Sequence, residues 1–200
     1  LFPPGQVLTI RQLDDALMTS TMPVREALGR LITEQALEAL PNRTIRVPPV
    51  TLERIEDLSP ARVLIEGEAM ELAATRMTPR LLASLRAITA EWEEMRLGGN
   101  PETVDREVTL NQAFHFEIYR ACGSAVLLPM IESLWLQSGP FTRAAVYAFS
   151  EAGARDAARF HHDILRALEA GDGKAARVAL LADISRPFAY LRDKLGKETT

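Results

Sequence analysis

One cysteine, Cys122, stands among 200 residues, so the chain contains no internal disulfide. That usage is expected of a reducing compartment. Aromatic residues make up only 6%, which leaves aliphatic side chains to build most of any core. No apolar run approaches the roughly 18 residues of a membrane span, and no basic and apolar leader opens the chain. A cytoplasmic protein with no membrane partner is expected. Excess positive charge is missing as well, since the net charge is -4 at pH 7. Within residues 1 to 50, Arg11, Arg25, Arg30, Arg43 and Arg46 are balanced by Asp14, Asp15, Glu26, Glu34 and Glu38. A nucleic-acid partner must therefore be read from pattern, because charge does not announce one. A phosphate-cradling glycine loop and a nucleophile elbow are absent too, so an enzyme is not the expected class.

What is present divides the chain in two. Val47-Pro48-Pro49-Val50 forbids regular continuation and reads as a linker. Residues 1–50 carry a small α/β pattern. Thr9 is placed to cap a short helix through Leu17. After a break at 18–22, a second helix is expected to start with Pro23 near its first position, where a missing N–H costs nothing. Val24, Ala27, Leu28, Leu31 and Ile32 give that helix one apolar face and turn Arg25 and Arg30 elsewhere. Short strands are expected at 37–40 and 44–47 around the turn Pro41-Asn42-Arg43. Helix, turn, helix and hairpin is the order of a winged helix-turn-helix, with no helix visible before Leu1. Residues 51–200 read as helices alone, six or seven of them, with Thr51 and Thr78-Pro79 as starts and Gly98-Gly99, Gly139-Pro140 and Gly171 as stops. The last helix should be kinked by Pro187. The chain is thus mainly α: a small winged head and an all-α antiparallel bundle.

Asn111 and His115 lie one turn apart on one helix face beside Phe114 and Ile118. His161, three and four residues before Ile164 and Leu165, shares their core-facing side, whereas His162 points about 100° away. Asp183 sits among Leu180, Leu181 and Ile184. These are either separate hydrogen-bonded core residues or a convergent set of imidazole, carboxylate and amide donors suited to divalent Zn, Ni, Mn or Fe. Arg62, with Glu66 four residues on, is either half of an intrahelical ion pair of small value or a fork for a small carboxylate ligand. Arg143 has the same two readings. Trp135 and Phe141 read as packing.

The segments Pro3-Pro4-Gly5-Gln6-Val7-Leu8, Arg11-Gln12-Leu13, Pro23-Val24-Arg25-Glu26-Ala27-Leu28 and Pro41-Asn42-Arg43 resemble the DNA-binding domain of GntR-family transcription regulators. The helical remainder resembles the FCD-type ligand-binding domain of the FadR subfamily, through Arg62 with Ile65-Glu66, Phe114-His115, His161 with Ile164-Leu165, and Gly171-Asp172. The resemblance implies a homodimer on palindromic operator DNA whose binding changes when a small organic acid enters the bundle. It implies DNA contacts from Arg11, Ser20, Thr21, Arg25 and Arg43. It also implies a metal set at Asn111, His115, His161 and Asp183, beside which Arg62 and Arg143, on their own reading, are the expected effector contacts. Two exchanges stand out against the usual pattern. Asn111 replaces an Asp while Asp183 replaces a His, so the formal charge of the set is kept. Thr21 occupies a place commonly held by Arg, and that loss removes about 1–3 kcal/mol of base discrimination. The expected function is a ligand-responsive transcription regulator. The alternatives are a helical metal-dependent enzyme using His115, His161 and Asp183, or an effector sensor with impaired DNA binding.

Overall fold

A computed structural model of the chain describes residues 2–17, 21–41, 44–97, 104–151 and 157–198. The head is built from β1 (Val7–Thr9), α1 (Ile10–Leu17), α2 (Thr21–Thr33), β2 (Glu38–Leu40) and β3 (Thr44–Arg46). The sheet is antiparallel in the order β1-β3-β2. Strand β1 has no counterpart in the sequence reading, because three residues are too few to show a period. Its register opposes Leu8 to Ile45 on β3, and both close onto a small core with Leu13, Val24, Leu28 and Val47.

Local chemistry sets the ends of these elements. The Gln12 N–H donates to Thr9 Oγ1 at 3.3 Å while the Thr9 N–H donates back to Gln12 Oε1 at 2.8 Å, a reciprocal cap for α1. Helix α2 starts at Thr21, two residues before the expected Pro23. Proline is tolerated there because the N–H groups of the first turn have no intrahelical acceptor in any case. After α2 the chain turns through Gln35 at φ 58°, with the Ala36 N–H donating to the Leu31 carbonyl at 2.9 Å.

The bundle comprises α3 (Leu52–Ala74), α4 (Pro79–Leu97), α5 (Val104–Ala121), α6 (Leu127–Glu151), α7 (Ala157–Glu169) and α8 (Gly173–Glu198). These six, among the described residues, fall within the expected six or seven. Thr51 caps α3 by accepting the Arg54 N–H at 3.3 Å. Thr51→Ala should therefore lower stability by about 1 kcal/mol, read from the midpoint of urea unfolding followed by circular dichroism. Helix α6 does not stop at Gly139-Pro140 but continues through it to Glu151. The helix survives a missing backbone bond because Ile131, Trp135, Phe141 and Ala145 bury one continuous face against the core. Helices α3 and α8 likewise carry internal prolines, Pro60 and Pro187.

Helix α3 packs on α8, α6 and α5, while α7 packs on α8 and α4. Helix α8 begins close against the α3 backbone at Gly173, where an added Cβ would stand 3.0 Å from the Glu71 carbonyl oxygen. A first-turn residue of α3 also touches the head: Arg54 Nη2 donates to the Gln35 carbonyl at 3.4 Å. No described helix is long and apolar enough to cross a membrane.

Candidate metal and effector site

Helical spacing delivers a polar row into the middle of the bundle. Asn111, His115 and Tyr119 follow one another at intervals of four on α5, so they line one face. Arg62 and Glu66 do the same on α3, and α6, α7 and α8 bring Trp135, His161 and Asp183. Burial is nearly complete: Arg62 is 5% exposed, Glu66 0%, and His115 and His161 1% each.

Glu66 is the hub of one half. Its Oε1 accepts from Arg62 Nε at 2.6 Å. Its Oε2 accepts from Arg62 Nη2 at 3.2 Å, Tyr119 Oη at 2.5 Å and Trp135 Nε1 at 2.9 Å. The Arg62 guanidinium also lies 4.7 Å from the Trp135 ring centroid and 5.8 Å from that of Phe188. Burial alone would weaken its charge, but the Glu66 carboxylate outweighs this and holds its pKa above the ordinary value. Tyr119 is pushed well above a free phenol by burial and then by Glu66, so it stays neutral. An ion pair expected to be of small value is therefore a buried one, for which loss of either partner is expensive.

The second half is joined to the first through Tyr119, whose hydroxyl lies 3.4 Å from His115 Nδ1. His115 Nε2 stands 3.0 Å from Asp183 Oδ2. His161 Nε2 stands 3.1 Å from Asn111 Oδ1, and its ring is stacked on Phe114 at 4.1 Å and tilted against Trp92 at 4.6 Å. Burial lowers the His161 pKa to about 3 against the opposing pull of Asp183, so the imidazole is neutral with a lone pair to give. Burial would raise Asp183, but the His115 hydrogen bond and nearby positive groups bring it below the usual carboxylate value.

One ligand atom each from His115, His161 and Asp183 lie within 4.8 Å of one another. The residues present fit a metal. The 3.0 Å between His115 Nε2 and Asp183 Oδ2 and the 3.1 Å between His161 Nε2 and Asn111 Oδ1 bring donor atoms of four residues together in two pairs. His161 Nδ1 is buried and meets no acceptor or donor among the described residues. Two imidazoles, a carboxylate and an amide oxygen form a donor set for first-row divalent ions.

Other expected residues fall elsewhere. Arg143 is engaged by Asp105 at the start of α5 and does not join the Arg62 group. His162 faces α4, with Nε2 2.7 Å from Glu93. In the head, Arg11 and Arg25 are exposed, Arg25 on α2, and Thr21 is the first residue of that helix. Ser20 and Arg43 lie outside the described residues. Two partners escaped sequence reasoning. Tyr119 was visible in principle as the next step of the Asn111, His115 series. Trp135 was read as packing, yet it also donates to Glu66.

Residues 57–186 match the FCD domain, and residues 1–47 match the bacterial regulatory proteins of the gntR family. The HTH-type transcriptional regulator McbR of Escherichia coli (strain K12) is 30% identical over 194 residues, 97% of this chain and 86% of that protein. A probable D-xylose utilization operon transcriptional repressor of Paenarthrobacter nicotinovorans is 31% identical over 186 residues, 91% of this chain and 77% of its own. The solved structure of E. coli McbR/YncC matches with a TM-score of 0.87 at 29% identity, covering 97% of this chain and 90% of that one. A regulator from Rhodococcus sp. RHA1 shares the fold, with a TM-score of 0.70 at 24% identity. With a winged head, a helical domain and relatives that regulate transcription, the chain belongs to the GntR family of DNA-binding transcription regulators, carries an FCD domain, and is not an enzyme.

Proposed function

We propose that residues 51–200 sense a small organic acid beside a divalent metal, and that residues 1–50 pass the result to operator DNA as the head of a FadR-type homodimer. The observation that carries this reading is the enclosed polar network from Arg62 through Glu66, Tyr119 and His115 to Asp183. Ionisable groups buried together and set apart from surface pairs are the pattern that marks a candidate ligand site. His115, His161 and Asp183, with Asn111 beside them, would hold the ion, in the class of Zn, Ni, Mn or Fe. Such an ion supplies positions for carboxylate oxygens. Arg62, already fixed in place by Glu66, supplies a guanidinium to the same acid.

Binding of the acid and of DNA are linked by one free energy, so each must change the affinity for the other by the same factor. Two heads related by a two-fold axis would meet half-sites of matching symmetry. Fluorescence anisotropy with DNA from upstream of the encoding gene tests the reading. Salt-sensitive, sequence-preferring binding that shifts on adding acid is expected, and sequence-indifferent binding would sink it. In the same assay Arg25→Ala should weaken specific binding by about tenfold to a hundredfold. If Arg25 contacts phosphate, the salt dependence should flatten as well.

A further inference from the structure

We propose that Glu66 sets the charge of the acid accepted at this site, and that the effector is a monocarboxylate; this rests on the metal-and-acid reading above. A guanidinium offers two edges to a carboxylate. The edge formed by Nε and Nη2 is filled by Glu66, at 2.6 Å and 3.2 Å. The guanidinium's central carbon also lies 4.7 Å from the Trp135 ring centroid and 5.8 Å from that of Phe188, so aromatic rings pack against it. What remains is the end edge, which accommodates one carboxylate. Glu66 does not give way to a ligand, because its two oxygens also satisfy Tyr119 and Trp135. Moving it would strand two buried donors.

The charge balance points the same way. The network holds one cation, Arg62, and two anions, Glu66 and Asp183, and imidazoles hold a metal ion in their neutral form. A divalent ion leaves it with one positive charge in excess. One negative charge from the ligand closes that balance, whereas a second would lie buried with no cation in the network to meet it. A protein with the same arginine and a neutral residue at position 66 would instead suit a dicarboxylate.

The test uses the full chain loaded with Zn(II) and titrated calorimetrically with lactate and malate, 2-hydroxy acids with one and two carboxylates, metal retention being checked by elemental analysis. Lactate is expected to bind at least about tenfold more tightly than malate. Glu66→Gln removes the charge and keeps the shape, and should move the malate-to-lactate ratio towards malate by at least about tenfold. Trp135→Phe removes a donor to Glu66 without changing charge, so it should weaken both acids and leave the ratio in place. Tighter malate binding by the unaltered protein overturns the monocarboxylate assignment. So does an unmoved ratio in a Glu66→Gln variant that keeps its helical dichroism and its metal. If neither acid binds the loaded protein, the acid-sensing reading itself fails. The ranking in the unaltered protein stands as a test even if Glu66→Gln does not fold.

Discussion

Glu66→Ala is expected to lower the stability of the folded chain by about 3–5 kcal/mol, the cost of leaving one member of a buried ion pair alone. The substitution strands the Arg62 guanidinium, 5% exposed, together with the Tyr119 hydroxyl and the Trp135 indole N–H. Urea unfolding followed by circular dichroism measures it, and a loss below about 1 kcal/mol would show that water or rearrangement replaces the carboxylate. The wing supplies the control. Arg46 and Glu38 also pair at 2.6 Å, but with side chains 37% and 31% exposed. Glu38→Ala should therefore change stability by about 1 kcal/mol or less, because solvent already screens that pair. Equal ion-pair distances with unequal costs would show that burial, and the further donors Glu66 satisfies, set the difference.

His161→Ala is expected to abolish stable metal retention, with elemental analysis falling from about one ion per chain to near zero. In the unaltered protein, ion at about a hundredfold its dissociation constant adds about 2.7 kcal/mol to folding, and the variant should lose that increment. Because His161 is also packed between Phe114 and Trp92, the variant will lose stability without metal too. The decisive quantity is the difference between loaded and metal-free protein. A variant whose unfolding midpoint still rises on adding Zn(II) or Mn(II) would remove His161 from the metal set. Trp92, 4.6 Å from the imidazole, gives an independent fluorescence signal of ion binding.

Much of this architecture was legible because it rests on short-range chemistry. Thr9, Thr51 and Thr78 each accept an N–H three residues on, as a side-chain cap predicts from sequence spacing. The burial of Val24 and Leu28 on α2 follows from helical period in the same way. Strand β1 was not legible, since its reason for existing is the opposite strand, where Ile45 pairs with Leu8 from 37 residues away. Pro140 misled for a related reason. Proline is a local stop signal, but the face of α6 that runs past it gains more from the core than the missing bond costs. At the candidate site, the side-by-side placement of Asn111 and His115 came from period. The union of Glu66 with Tyr119 and Trp135 joins residues 53 and 69 positions apart, and nothing in local spacing encodes it. The sequence therefore named Arg62 and left open whether its charge was already answered.

Three helices that wall the site, α3, α6 and α8, each contain a proline at its level: Pro60 two residues before Arg62, Pro140 next to buried Phe141, and Pro187 between Asp183 and Phe188. Each lacks the N–H that would reach four residues back, so the carbonyls of Glu56, Leu136 and Asp183 are released from the helical ladder. The consequence is mechanical. Bending at these points breaks no backbone hydrogen bond, so these are the helices that can flex beside the site at least cost.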